Sequence, residues 1–258
     1  MQNKSDFILK VENLGHSYGK FKVIENISLG IKKGELSALI GPNGAGKTTF
    51  YNTISGKFPP KRGKVYLKGE DITGLPANIV ASRGMSRSFQ ITNIFSGLSV
   101  EENILIPLIL KYKKGFHYFG NIFKDKAIKE KLSQKMELVG ITKFAKNKVS
   151  DLAYGDRRLV EIGIVLARDP EVVLLDEPTA GMNPEETDKM ISLIKKLSDI
   201  TKTTFFITEH DMKVVFSLAE IIYVLHQGFL LAKGTPQEIR DNDEVKEAYL
   251  GRKVNVKS

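Results

Sequence analysis

The segment Gly41-Pro42-Asn43-Gly44-Ala45-Gly46-Lys47-Thr48 constrains the fold of this chain more than any other feature. Residues 35–40 before it are apolar enough to predict a buried strand, and residues 49–55 after it predict a helix. The small residues let the backbone curl so that successive N–H groups point inward, and the helix N-terminus adds partial positive charge. The sequence therefore predicts a phosphate-binding loop in an α/β protein that handles a nucleoside triphosphate.

Two residues of this loop carry the most specific chemistry. Lys47 can reach the β- and γ-phosphates of a nucleotide, and the Thr48 hydroxyl can ligate Mg²⁺. We expect the whole loop and the residue after it to contact the nucleotide, a set that comprises Gly41, Pro42, Asn43, Gly44, Ala45, Gly46, Lys47, Thr48 and Thr49.

A second apolar run, residues 172–175, ends in the carboxylate pair Asp176-Glu177. Consecutive aliphatic residues favour a strand that is buried on both faces, as in a parallel sheet. Asp176 would then emerge at the carboxyl end of that strand, where ligands bind in open α/β sheets. A carboxylate in this place suits Mg²⁺, and Glu177 suits a general base that takes a proton from an attacking water.

With these motifs in this order, the chain resembles the ATP-binding-cassette (ABC) ATPases over nearly its whole length. The resemblance implies that Tyr18 stacks on adenine and that Gln90 senses Mg²⁺ and water. It also implies that His210, which follows a third apolar run, contacts the γ-phosphate. The implied catalytic residues are Glu177, His210 and Gln90, the implied metal ligands are Thr48, Gln90 and Asp176, and the implied cofactors are ATP and Mg²⁺.

Residues 152–156, Leu-Ala-Tyr-Gly-Asp, stand where this family carries its signature sequence, and they depart from the common pattern. Ala153, Tyr154 and Asp156 replace the usual serine, glycine and glutamine, so the serine hydroxyl expected on a partner's γ-phosphate is missing. Gly155 and the following helix N-terminus still offer backbone N–H groups to a phosphate. The alternatives are a catalytically weak site and a subfamily variant. We favour the variant, and we keep Ala153, Tyr154, Gly155 and Asp156 in the set that contacts nucleotide.

Several segments resemble the ATPases of branched-chain amino-acid importers in particular. That group is similar at the signature, with a Leu-Ala-Tyr-Gly or Leu-Ser-Tyr-Gly core. Residues 180–184, 209–212, 234–236 and 248–251 also resemble it. The resemblance therefore implies that ATP hydrolysis drives uptake of a small solute, and ATPases of urea or lipopolysaccharide transport systems are the nearest alternatives.

The predicted fold class is α/β, with a P-loop nucleoside triphosphatase core, an antiparallel β layer and an inserted helical subdomain. Residues 7–12, 32–34 and 64–68 fit the antiparallel layer. Strands and helices alternate from residue 171 onward, which predicts a largely parallel sheet with helices on both faces.

We predict a single domain, 1–258, with a helical subdomain inserted into the nucleotide-binding core. The core comprises about 1–90 and 169–258, and the helical, signature-bearing part comprises about 91–168. Ser99 opens one predicted helix, since Glu102 three residues later completes a helix-start pattern. A second helix is predicted over 125–139 from its apolar stripe, and 112–123 is predicted to be an exposed loop.

Composition limits the location and the partners of the chain. It has no cysteine, no apolar run near the roughly 18 residues needed to cross a bilayer, and no apolar targeting region at its start. These absences favour a cytoplasmic location, and the resemblance to importer ATPases implies a peripheral position on the cytoplasmic face of a prokaryotic cell membrane. The net charge of +9 indicates an anionic neighbour. The lysines of residues 111–148 are scattered and lack interleaved stacking aromatics, so no nucleic-acid partner is expected.

The resemblance also implies partners for the chain. A second ATPase subunit, identical or paralogous, would pair head to tail, so that each phosphate loop faces the other subunit's signature. Transmembrane permease subunits and a solute-binding protein would complete the system. Two other classes stay open: a soluble ABC-type ATPase, whose relatives generally carry two cassettes or a coiled-coil insertion, and a regulatory subunit without turnover. Glu177 and His210 argue against the regulatory subunit, whereas Ala153 and Asp156 argue for it.

The residues that follow Gln90 are apolar at Ile91, Ile94, Phe95 and Leu98. In the resembling family, a cleft beside this segment accepts a short cytoplasmic helix of the transmembrane subunit. The segment therefore predicts a docking surface, and the alternative is that these residues form a local core under a loop.

Overall fold

A computed structural model describes residues 6–88, 94–112 and 125–250, the last residue without its side chain. Gln90 and the apolar Ile91 lie outside the described residues, as does nearly all of the predicted loop 112–123. Within these ranges, no helix is both long enough and apolar enough to cross a membrane.

Four strands between Phe7 and Asp71 form the predicted antiparallel sheet. Its strands are β1 (Phe7–Tyr18), β2 (Phe21–Lys32), β4 (Arg62–Leu67) and β5 (Glu70–Asp71), in the spatial order β2-β1-β4-β5. Buried and exposed residues alternate along parts of these strands, because one face packs on the core and the other meets solvent.

A second sheet carries the motifs singled out in the sequence. Its strands are β3 (Leu36–Ile40), β6 (Met85–Arg87), β7 (Val172–Asp176), β8 (Thr204–Thr208), β9 (Ile221–His226) and β10 (Phe229–Gly234), in the order β10-β9-β3-β8-β7-β6. All neighbours pair in parallel except β10, which is antiparallel to β9. Every residue of β3, β7 and β8 is buried, which explains their aliphatic and aromatic sequences.

The α-helices lie between strands along the chain, except for the last two, which follow β10. They are α1 (Lys47–Ile54), α2 (Ala77–Ser82), α3 (Val100–Lys111), α4 (Lys126–Leu138), α5 (Tyr154–Leu166), α6 (Pro184–Thr201), α7 (Met212–Leu218), α8 (Pro236–Asp241) and α9 (Asp243–Leu250). Ser99 caps α3 and exchanges hydrogen bonds with Glu102, so the start predicted from the sequence is confirmed. Asn183 and Glu186 form the same reciprocal cap at α6.

Two apolar clusters lie on opposite faces of the parallel sheet. One contains Phe50 and Tyr51 of α1 together with Phe206 of β8 and the buried residues of β1, β2 and β4. The other joins the opposite face of the sheet to α3, α4, α5, α6 and α7. The helix that follows the phosphate loop is thus enclosed between the two sheets, whereas the helical region lies on the far face.

Lysines in the helical region are partly neutralised by neighbouring carboxylates. Lys111 and Lys135 both pair with Asp169, and Lys146 pairs with Glu101. These pairs balance part of the positive charge of the helical region.

The turn between β9 and β10 ties both sheets to the phosphate loop through Gly228. Its N–H donates to the Ala45 carbonyl at 3.1 Å, and its carbonyl accepts from Glu25 N–H at 2.8 Å. Gly228 has φ 85°, and a Cβ at this position would lie 2.5 Å from the Val23 carbonyl oxygen. Only glycine therefore fits here without a shift of the backbone.

We expect Gly228→Ala to destabilise the protein more than the matched control Gly69→Ala. Gly69 also has a positive φ, 80°, but nothing lies near its Cβ position. The control therefore carries the cost of the left-handed conformation without any steric overlap. That conformation costs about 1–2 kcal/mol for an L-residue, and overlap with the backbone adds about 1–3 kcal/mol at Gly228. Urea denaturation of both variants measures the difference, and equal losses would contradict the contact between the turn and β2.

Candidate functional site

The phosphate loop runs from the end of β3 into α1, as the sequence predicted. Within the loop, Ala45 N–H donates to the Pro42 carbonyl at 3.1 Å, and Gly46 stands at the helix N-terminus with φ 102°. A Cβ on Gly46 would lie 2.7 Å from Ile24 Cγ2, because β2 passes directly behind the loop. The absence of a side chain at Gly46 thus lets the loop lie against the antiparallel sheet. Thr48, the predicted Mg²⁺ ligand of the loop, is exposed on the first turn of α1.

Lys47 is buried within this loop. Its Nζ donates to the carbonyl oxygens of Gly41 at 2.6 Å and Pro42 at 3.2 Å. Burial lowers the pKa of Lys47, and the nearby carboxylates of Glu177 and Asp176 oppose that shift. The two carbonyl oxygens therefore fix the position of the ammonium group inside the loop.

Asp176 lies at the carboxyl end of β7 and is nearly fully buried. Thr208 Oγ1 donates to its Oδ1 at 2.6 Å, and Arg87 Nη2 donates to its Oδ2 at 2.9 Å. Its backbone N–H donates to Ser88 Oγ at 3.1 Å. Both carboxylate oxygens are thus positioned by neighbouring strands.

The oxygens of Thr48 and Asp176 suit a hard cation such as Mg²⁺. No group of three or more His, Cys, Asp or Glu side chains that could hold a metal is found in the described part of the chain. Two protein oxygens would leave the other positions around Mg²⁺ to phosphate and water, as is common for Mg²⁺ bound with nucleotides.

Glu177 and His210 contact each other. His210 Nε2 lies 2.8 Å from Glu177 Oε1, and both side chains are partly exposed. Glu177 adopts φ 49°, a left-handed conformation that is unfavourable for glutamate. Its N–H donates to the Thr208 carbonyl at 3.0 Å, so the adjacent strand holds this backbone in place. The structure thus brings together two of the three residues predicted to be catalytic.

The buried carboxylate of Glu209 joins the loop after β7 to the turn after β8. Its Oε1 accepts from Thr179 N at 2.9 Å and Thr179 Oγ1 at 2.6 Å. Its Oε2 accepts from His210 N–H at 3.2 Å. Burial raises the pKa of Glu209, although the bonds from Thr179 favour the ionised form. Nothing in the sequence signals this role, because an acidic residue between a strand and a histidine is common.

Tyr18 ends β1 in a small aromatic group. Its ring lies edge-on to His16, with centroids 5.0 Å apart, and edge-on to Phe58, with centroids 5.9 Å apart. His16 Nδ1 lies 3.1 Å from the Pro59 carbonyl oxygen, which fixes the histidine ring. About half of the Tyr18 surface stays exposed and is available to a planar ligand.

The signature residues begin α5, with Ala153 at its N-cap. The Tyr154 hydroxyl donates to the Ala180 carbonyl at 2.8 Å, and Gly155 lies so close to Glu186 that a Cβ would be 2.9 Å from its Oε1. Asp156 is half-buried in the first helical turn. Within one chain, this segment therefore contacts the loop after β7 and the first turn of α6.

A parallel sheet whose strand ends present a phosphate loop, a carboxylate pair and a histidine defines a P-loop nucleotide-binding protein. The chain belongs to the ABC transporter family, because the model of that family matches residues 24–180, more than half of its length. The resemblance and the fold class predicted from the sequence are both confirmed. A second family model, described as branched-chain amino acid ATP-binding cassette transporter, matches residues 230–254.

Relatives of known role match nearly the whole chain. The high-affinity branched-chain amino acid transport ATP-binding protein LivG of Salmonella typhimurium is 39% identical over 251 residues, which covers 95% of this chain and 98% of LivG. BraF of Pseudomonas aeruginosa, with the same description, is 38% identical with the same coverage. The lipopolysaccharide export system ATP-binding protein LptB of Haemophilus influenzae is 34% identical over 96% of this chain and 99% of its own.

Solved structures of similar fold are ATP-binding cassettes. A nucleotide-free cassette from an ABC transporter superposes with a TM-score of 0.82 at 29% identity, and covers 95% of this chain and 99% of that one. A dimeric cassette in a post-hydrolysis state, bound to ADP and phosphate, superposes with a TM-score of 0.76 at 26% identity and covers 88% and 98%.

Lys47→Ala is expected to weaken ATP binding more than AMP binding. The substitution removes positive charge at the β- and γ-phosphates and leaves the backbone N–H groups of the loop in place, and AMP has no phosphate at those positions. We expect ATP affinity to fall about tenfold or more, as for loss of a charge-assisted bond. Calorimetric titration of both nucleotides checks this, and equal losses would point to a disrupted loop instead.

Proposed function

We propose that this chain is the ATP-hydrolysing subunit of an importer for branched-chain amino acids, bound peripherally to the cytoplasmic face of the membrane. The observation that carries the ATPase role is the Glu177–His210 pair, which stands beside the phosphate loop at the edge of one parallel sheet. Branched-chain amino acids are favoured because both LivG and BraF are named for their transport.

Each site residue has a proposed task in hydrolysis. Tyr18 stacks on adenine with the exposed half of its surface, and the loop from Gly41 to Thr49 holds the phosphates through backbone N–H groups and Lys47. Glu177 accepts a proton from the attacking water, and His210 orients Glu177 and holds the γ-phosphate. Thr48 and Asp176, with Gln90, would hold Mg²⁺, which neutralises phosphate charge when it is bound.

A second subunit is proposed to complete the site. The N-terminus of α5, with Gly155 in its first turn, offers backbone N–H groups to a phosphate of the opposite subunit. Ala153 and Tyr154 are exposed at this helix start, as the arrangement requires. The dimeric cassette of similar fold supports a pair of subunits, and we propose that the pair is arranged head to tail.

Glu177→Gln should retain ATP binding and lose hydrolysis. An amide cannot take the proton from water, so turnover should fall by about 10²–10⁴, the usual contribution of a general base. The matched control is Glu185→Gln, which alters an exposed carboxylate paired with Lys189. Phosphate release under saturating ATP measures both variants, and a Glu177→Gln rate within about threefold of the unmodified chain would remove Glu177 from this role.

The surface around Phe95 is proposed to dock a membrane-embedded partner. Phe95 is 56% exposed, and Asn103, only 1% exposed, accepts from its N–H at 2.9 Å and donates to its carbonyl at 3.0 Å. A buried asparagine thus fixes the backbone while the aromatic ring points away from the core. This supports docking over the local-core alternative at Phe95, whereas the neighbouring Ile94 packs against the core.

Phe95→Asp should therefore leave a folded, ATP-binding chain that no longer joins membrane subunits. Surface substitutions usually change the free energy of unfolding by less than about 0.5 kcal/mol, so the melting temperature should move by about 2 °C or less. Ile200→Asp, at another exposed apolar residue on α6, is the control that should still assemble. A destabilised Phe95→Asp chain with an unchanged membrane-bound fraction would contradict the docking role.

The second candidate function is lipopolysaccharide export, which the similarity to LptB favours. Purifying the assembled membrane complex and identifying its other subunits separates the two. A periplasmic amino-acid-binding subunit supports import, whereas subunits that handle a lipid-linked polysaccharide support export.

A further inference from the structure

Arg87 and Asp176 form a buried ion pair inside the candidate site. Their side chains are 6% and 4% exposed, and Nη2 lies 2.9 Å from Oδ2. The pair joins the ends of the neighbouring parallel strands β6 and β7, where Arg87 lies opposite Leu174. If either partner were lost, the other would remain as a buried charge without compensation. Separating this pair would therefore be costly in free energy.

The other arm of the guanidinium reaches the helix that follows the phosphate loop. Arg87 Nη1 donates to Asn52 Oδ1 at 2.7 Å and to Ser55 Oγ at 3.1 Å. Its Cζ lies 5.5 Å from the centre of the Tyr51 ring, a cation–π distance. The planar group thus bridges α1 and β7, which a lysine ammonium could not do with the same geometry.

We propose that Arg87 is a positioning residue that balances the charge of Asp176 and sets how tightly this carboxylate attracts a divalent cation. The proposal rests on the proposed role of Asp176 toward Mg²⁺. Arg87 and Thr208 each occupy one carboxylate oxygen, and the remaining lone pairs stay available. A cation drawn to Asp176 meets a fixed positive charge close by, so Arg87 orients the carboxylate and weakens the attraction at the same time.

Removal of Arg87 has two opposite expected effects. The chain without bound ligands should become less stable, because Asp176 would be buried without its counter-charge. Divalent cation affinity in the presence of nucleotide should rise, because the cation then supplies the missing compensation. A purely structural arginine would produce the first effect without the second.

The test uses the full chain with ADP and Mn²⁺, a spectroscopically visible substitute for Mg²⁺. We expect Arg87→Met to tighten Mn²⁺ binding about three- to tenfold, and to gain more in melting temperature on addition of Mn²⁺ and ADP than the unmodified chain. The control Arg83→Met alters an exposed arginine near Glu70 and should leave both values unchanged. Unchanged or weaker Mn²⁺ binding in Arg87→Met would overturn the proposal.

Two further variants keep the test decisive. If Arg87→Met does not fold, Arg87→Lys retains the charge and loses the bridge to Asn52 and Ser55, and its Mn²⁺ affinity should stay within about twofold of the unmodified chain. A larger gain in Arg87→Lys would overturn the charge argument. Asp176→Asn should weaken Mn²⁺ binding, and if it does not, the proposed metal role of Asp176 fails together with the inference. Weakening in Asp176→Asn without tightening in Arg87→Met overturns the inference alone.

Discussion

The parallel pairing of β8 with both β7 and β3 is the constraint on which the candidate site depends. Thr208 lies opposite Asp176 on one side and opposite Leu39 on the other. Because all three strands run in one direction, the segments that follow them emerge at the same edge of the sheet. If the register of these strands slipped by one residue, their buried side chains would point to the opposite face of the sheet. The packing that fixes the register therefore also fixes the positions of the site residues.

The charged groups of this edge already have partners within the chain. Lys47 donates to loop carbonyls, Arg87 pairs with Asp176, and His210 contacts Glu177. Basic and acidic side chains thus both lie along this edge, and each makes a polar contact within the chain. A polyanion that binds at this edge would compete with these contacts, so the site favours a ligand with several charges at the matching spacing.

Features of the fold and the site could be predicted from the sequence when the residues that form them are close together in the chain. The phosphate loop, the carboxylate pair and the cap at Ser99 follow from short patterns, and each was predicted in its proper place. Arg87 and Glu209 were missed because their partners are distant in sequence, on α1, β7 and the loop after β7. The contact of Tyr154 with Ala180 was missed for the same reason, since the signature was considered only toward a partner subunit.

Through Glu209, the residues of the loop after β7 and those of the turn after β8 depend on each other. One carboxylate satisfies the Thr179 amide, the Thr179 hydroxyl and the His210 amide. An apolar residue in its place would leave the two buried donors of Thr179 without an acceptor, and the His210 N–H would lose its partner as well. Changes at Thr179 and Glu209 should therefore accompany each other during evolutionary drift. If two relatives differ at these positions, a chimera that takes one loop from each would combine a residue at 179 with a residue at 209 that does not bond to it.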